Sequence, residues 1–79
     1  MGTDYKIKKT GVVVFTHGSK VKAANDMEVR VVEELRRRLG MSLIEPAFMA
    51  LVAPTIPAAI EKLISAGCTH IFGYGLFLT

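Results

Sequence analysis

Three short apolar runs alternate along the chain with two segments in which apolar residues recur every three or four positions. The first run, residues 11–15, is β-branched and apolar on both faces, as is typical of a central parallel strand covered by helices on each side. The second run, residues 42–51, contains Pro46, which favours an edge strand because proline lacks a backbone donor. The third run covers residues 69–78. We therefore predict three strands, β1, β2 and β3.

The first periodic segment predicts an amphipathic helix, α1, that begins near Ser19 as its N-cap and ends at Gly40. Its apolar stripe is Ala24, Met27, Val31, Val32, Leu35 and Leu39. Its solvent face is expected to carry Asp26, Glu28, Glu33, Glu34 and Arg37.

A second helix, α2, is predicted after the second strand. Thr55 is its expected N-cap, and Pro57 suits the first turn because the missing N–H would be unpaired there anyway. The buried stripe is expected to be Ala59, Ile60, Leu63 and Ile64, and Gly67 ends the helix.

The order of elements predicts an α/β fold. Two βαβ units with right-handed crossovers place β1 between its neighbours, which gives a three-layer βαβαβ domain with a short parallel sheet in the order 2-1-3. With 79 residues the chain holds one domain. We expect residues 1–10 to form a basic tail and residues 11–79 to form the domain.

The composition and charge of the chain limit the kinds of partner that it can be expected to bind. The net charge of +3 arises largely from Lys6, Lys8, Lys9 and the run at 36–38, with no interleaved aromatic residues, which argues against nucleic-acid binding. No apolar run reaches the length of about 18 residues that a membrane span needs. A single cysteine, Cys68, and a polar N-terminal segment without a secretory signal predict a cytoplasmic protein. Because β3 is an open apolar edge, we also expect a homo-oligomer.

The loop after β1 contains the residues most suited to binding a metal or an anion or to exchanging a proton. In open parallel sheets, ligands bind outside the carboxyl ends of the strands at the switch in strand order, which here is residues 16–20. His17 can bind a metal or exchange a proton, Gly18 permits a sharp turn, and Ser19 lies at the anion-attracting end of α1. The alternative is that His17 is an ordinary hydrogen-bonded residue and Lys20 a solvated side chain.

Other candidates are weaker. His70 begins β3 at the opposite edge of the sheet, and Cys68 is expected to be a structural thiol. A phosphate-binding role for Gly18, Ser19 and Lys20 is physically allowed, but the spacing of a P-loop is absent.

Several segments in the same order resemble the first half of the small CbiX-type sirohydrochlorin cobaltochelatases. They are VVVFTHGSK at 12–20, PAF at 46–48 leading to APTI at 53–56, AIEKL at 59–63, AGCTHI at 66–71 and LFL at 76–78. The resemblance implies a chelatase fold and insertion of Co²⁺, or in relatives Ni²⁺ or Fe²⁺, into a tetrapyrrole of cobalamin or sirohaem biosynthesis. It implies that His17 is the metal-site and catalytic residue, and Gly18, Ser19 and Lys20 are expected to bind the substrate.

The chain also departs from this family. Members usually carry a glutamate where Ala50 stands here and a proline where Gly75 stands, and they continue into a turn with a second metal-binding histidine. We therefore expect a domain that lacks the C-terminal part of the family. Two hypotheses remain: a metal chelatase, or a non-catalytic domain of this fold that binds metal or tetrapyrrole or self-associates through β3.

Overall fold

A computed structural model describes residues 8–76 and confirms the predicted α/β fold. Its elements are β1 (Thr10–Thr16), α1 (Lys22–Leu39), β2 (Ile44–Phe48), α2 (Ile56–Ser65) and β3 (His70–Gly75). The strands are all parallel and lie in the order β2-β1-β3. Residues 1–7 of the predicted tail and residues 77 and 78 of the predicted third strand lie outside the described residues.

The sheet is covered on both faces, so the three-layer prediction is also confirmed. On one face, α2 packs Ala59 and Leu63 against Val13 and Ala47. On the other, α1 packs Val32 against Val14 and Ile44. Consecutive residues of β1 thus enter different cores, which is why this strand reads as continuously apolar.

Helix α2 begins and ends close to the predicted residues. The Thr55 hydroxyl accepts a hydrogen bond from the backbone N–H of Ala58 at 3.2 Å, and a proline lies in the first turn. Gly67 follows the helix with φ of 94°. At the end of α1, Gly40 adopts the left-handed conformation and its N–H bonds the Arg36 carbonyl. Three of the predicted helix boundaries are therefore set by local chemistry that the sequence displays.

The predicted start of α1 is wrong. Val21, not Ser19, is the N-cap, and no side chain caps the helix. The Ser19 hydroxyl instead accepts a hydrogen bond from the Val21 N–H at 3.0 Å, two residues along the chain. Ser19 therefore forms a local turn before the helix, a competing use of a serine hydroxyl.

The predicted buried stripe of α1 is also partly wrong. Val32 is buried and Leu35 half-buried, but Met27 is 55% exposed, and Ala24, Val31 and Leu39 are exposed as well. Glu28, assigned to the solvent face, is only 5% exposed. The helix is rotated so that Glu28 and Val32, one turn apart, face the sheet. The rotation is compatible with a buried acid because polar groups of the sheet bind its carboxylate.

The two edges of the sheet differ in protection. At β2, Glu45 forms ion pairs with Arg36 of α1 and Lys62 of α2, each at 3.2 Å, and Arg36 also donates to the Ile44 carbonyl. Charges and Pro46 together protect this edge from pairing with another chain. In contrast, β3 exposes Phe72 and Tyr74, each at 62%.

Part of the predicted tail contacts the domain. Lys9, which was assigned to the tail, is held against the domain: its ammonium donates to the Ala66 carbonyl and its N–H donates to the Thr69 hydroxyl.

Within residues 8–76, no helix is both long and apolar enough to cross a membrane.

The burial of Glu28 predicts a pH-dependent stability. Desolvation raises the pKa of this carboxyl above its ordinary value of 4.5, while hydrogen bonds from Thr16 and Ala47 partly oppose the shift. Between the unfolded and the folded pKa, the unfolded state ionises first, so stability falls as pH rises through that window. Glu28→Gln should remove this part of the pH profile, so the free energy of unfolding of the variant should no longer fall through that window. Chemical denaturation at a series of pH values measures it; a profile unchanged by the substitution would contradict the assignment.

Candidate metal-binding loop at the carboxyl edge of the sheet

The loop between β1 and α1 lies at the carboxyl edge of the sheet, at the switch in strand order. His17 and Lys20 are exposed there, and Gly18 and Ser19 are half-buried. The position agrees with the predicted ligand-binding crevice of an open parallel sheet. Each of the four predicted site residues therefore lies on one short loop.

Backbone hydrogen bonds tie this loop to the segment that follows β2. The N–H of Met49 donates to the Thr16 carbonyl at 2.9 Å, and that of Ala50 donates to the His17 carbonyl at 3.0 Å. On the other side, the Leu76 N–H donates to the Phe15 carbonyl at 2.8 Å. All three strands therefore end around His17, and Ala50 is its direct neighbour.

The backbone conformation and the close contact with Ala50 both require glycine at position 18. Its φ is 90°, in the left-handed region, and a Cβ atom added to it would lie 2.1 Å from the Ala50 carbonyl oxygen. A side chain would therefore force apart the two segments that meet at His17, in addition to the cost of the backbone conformation.

Asn25 holds the loop from α1. Its Oδ1 accepts the Ser19 N–H at 2.9 Å, and its Nδ2 donates to the Ser19 carbonyl at 2.8 Å. One amide side chain thus satisfies both backbone groups of a residue next to the exposed histidine loop. This residue is not among the site residues predicted from the sequence; the signal available there was an amide in the first turn of a helix that follows a glycine-containing loop.

Glu28 lies at the same end of the sheet and was also missed. Its Oε2 accepts the Ala47 N–H at 3.3 Å, and its carboxyl group forms a hydrogen bond with the Thr16 side chain. Thr16 is the last residue of β1 and directly precedes His17. The carboxyl group therefore sits beneath the loop, on the α1 side.

The remaining sequence candidates do not join His17. His70 begins β3 at the opposite edge, where its Nδ1 lies 2.9 Å from the Thr69 hydroxyl. Cys68 is partly buried against the α2-side core. No group of three or more His, Cys, Asp or Glu side chains within residues 8–76 is arranged to hold a metal ion.

The double hydrogen bond of Asn25 predicts that Asn25→Ala loosens the loop. The variant should lose about 1–3 kcal/mol of stability, and the Ser19 amide should exchange with solvent faster than it does in the unsubstituted chain, while the amides of α1 change little. Hydrogen exchange followed by NMR measures both effects. Asp26→Ala on the same turn, which removes only an exposed ion pair with Lys22, is the matched control and should change little; equal effects of the two substitutions would contradict the role of Asn25.

Comparisons with known proteins agree with the geometry. The CbiX family model matches residues 11–79. A sirohydrochlorin ferrochelatase of Priestia megaterium is 35% identical over 60 residues, covering 76% of this chain and 23% of that protein. A sirohydrochlorin cobaltochelatase of Methanocaldococcus jannaschii is 30% identical over 67 residues, covering 85% of this chain and 47% of that protein.

A CbiX protein of Marinobacter aquaeolei VT8, known from a crystal structure, shares the fold with a TM-score of 0.76. It is 17% identical, and the alignment covers 91% of this chain and 57% of that one. This chain thus spans less than half the length of the two sequence relatives. Because the family model matches most of its length, this chain belongs to the CbiX family.

Proposed function

We propose that this chain carries the His17-bearing half of a metal-insertion site that acts on a sirohydrochlorin-type tetrapyrrole. The observation that carries the proposal is the exposure of His17 at the carboxyl edge of β1, on the loop HGSK, in a chain of the CbiX family. We propose Co²⁺ as the metal substrate; Ni²⁺ and Fe²⁺ belong to the same chemical class, and relatives are named for both cobalt and iron. We expect the reaction to occur in the cytoplasm.

His17 suits both steps of such a reaction. A neutral imidazole is a good ligand for Co²⁺ and Ni²⁺, so His17 can hold the metal next to the macrocycle. The macrocycle loses two pyrrole protons as its nitrogens bind the metal; an imidazole nitrogen that has released the metal can accept one of them, and water or buffer accepts the other. A single histidine holds the metal loosely, which favours transfer to the stronger nitrogen ligands of the tetrapyrrole.

The rest of the loop favours an anionic substrate. Gly18 keeps the loop close to the backbone at Ala50, Ser19 is held by Asn25, and Lys20 is exposed beside them. The ammonium of Lys20 can pair with carboxylates at the rim of the tetrapyrrole. Lys22 is less available because it forms an ion pair with Asp26.

One histidine does not complete a chelatase site. The position next to His17 is Ala50, which brings no acid or base, although its backbone is hydrogen-bonded to His17. The tetrapyrrole itself or a second copy of this chain, which would bring another His17, could supply further ligands. The second of these sources links the proposed activity to assembly.

Cobalt insertion into sirohydrochlorin, followed by absorbance, tests the proposal. His17→Ala should reduce the insertion rate by about a hundredfold, because it removes both the ligand and the proton acceptor. Ala50→Glu is the informative gain-of-function variant: Ala50 is exposed and beside His17, so a carboxylate there should raise the rate. Background-level rates for the unsubstituted chain and for both variants would contradict the enzymatic proposal.

A second candidate function is self-association without catalysis. It is favoured by β3, which presents Phe72 and Tyr74 to solvent, whereas Glu45 and its two ion pairs protect the β2 edge. Two copies that pair through β3 in antiparallel fashion about Gly73 would place Phe72 of each opposite Tyr74 of the other. Aromatic pairs across strands stabilise such an edge contact.

Sedimentation at micromolar concentration tests this assembly. The unsubstituted chain should form dimers, and Tyr74→Lys should convert them to monomers because a charge on an edge strand opposes pairing. Leu39→Lys, at an exposed apolar position at the end of α1, is the control and should leave the dimer intact. A monomer at all concentrations would contradict the β3 contact.

A further inference from the structure

Glu28 is an unusual residue for its position. It is only 5% exposed, and its Oε1 atom is buried with no hydrogen-bond partner among residues 8–76. A buried carboxylate oxygen without a partner destabilises a fold, and an apolar side chain would fill the same space at lower cost. Neither the packing of α1 nor the proposed role of His17 requires an acid at this position.

The placement of the carboxyl group relates it to the loop. One of its contacts is the side chain of Thr16, the residue before His17, and the other is the N–H of Ala47 near the end of β2. The ends of β1 and β2 are the two segments whose backbones meet at His17 and Ala50. Glu28 therefore contacts the ends of both β1 and β2, the two segments that hold the His17 loop in place.

The charges of the other acidic residues of α1 are compensated by ion pairs or screened by solvent. Glu34 forms ion pairs with Arg37 and Arg38, and Asp26 forms one with Lys22. Glu33 is exposed to water, which screens its charge. Glu28 is instead buried, and none of the ion pairs among residues 8–76 includes it. A charge in such an environment acts over a longer distance than one at the surface.

We propose that Glu28 is a positioning residue of the metal-binding loop: its buried carboxylate holds the end of β1 through Thr16 and places a negative charge beneath His17 that strengthens the binding of a divalent cation. This role rests on the proposed function, because it takes the ligand of His17 to be a cation. The surface position next to His17 is Ala50, so the negative charge that favours the metal comes from the core side of the loop. The cation and the carboxylate stabilise each other, which offsets part of the cost of burying the charge.

Titration of the full chain with Co²⁺ at constant neutral pH, followed by calorimetry and by the NMR signals of His17, tests the role. Glu28→Gln keeps the shape and an oxygen acceptor for Ala47 but removes the charge, so the Co²⁺ affinity should fall by about tenfold or more while the thermal midpoint stays the same or rises. Glu33→Gln removes an exposed charge from the same helix and should leave the affinity unchanged. His17→Ala defines the level of binding that is independent of the site.

The outcomes separate this inference from the proposed function. Unchanged Co²⁺ affinity in a folded Glu28→Gln variant would overturn the role of Glu28 and leave the His17 site standing. Binding by the unsubstituted chain that equals that of His17→Ala would remove the metal site itself, and the role of Glu28 with it. Should Glu28→Gln fail to fold, Glu28→Leu, which removes the buried polar group altogether, must show the same loss of affinity; retained affinity there would overturn the inference.

Discussion

The hydrogen bond from the Ala50 N–H to the His17 carbonyl is the constraint on which the site depends. It continues the pairing of β1 with β2 beyond the last strand residues, so the two following loops are joined rather than free. The close contact leaves no space for a side chain at residue 18, which explains the glycine there. Parallel pairing thus does more than build the sheet: it determines where the exposed imidazole lies.

Much of the fold could be predicted from the sequence because its determinants are local. The double-sided apolar pattern of β1, the proline in β2 and the Thr55 cap each express one physical requirement, and the structure confirms the element that each predicts. The strand order follows from the handedness of two crossovers. The loop at residues 16–20 was located in the same way, from the switch in strand order.

What the sequence did not show depends on contacts between distant residues. The pattern of α1 contains nearly equivalent faces, and only the packing against β2 selects the one with Val32 and Glu28. Periodicity assigns every glutamate to solvent, so a glutamate that binds Thr16 and Ala47 is missed. Asn25 was missed, and Ser19 was wrongly assigned as the N-cap, for a related reason: a polar side chain near a helix start can bond the helix or the preceding loop, and the choice depends on the path of that loop.

The unequal protection of the sheet edges has a consequence for how this domain can be extended. A strand added beside β2 would meet Glu45, its two cationic partners and Pro46. A parallel strand added beside β3 would meet a largely uncharged edge, and its carboxyl end would arrive next to Leu76, which bonds Phe15 two residues before His17. A further strand is therefore favoured on the one side from which a new loop would lie close to His17.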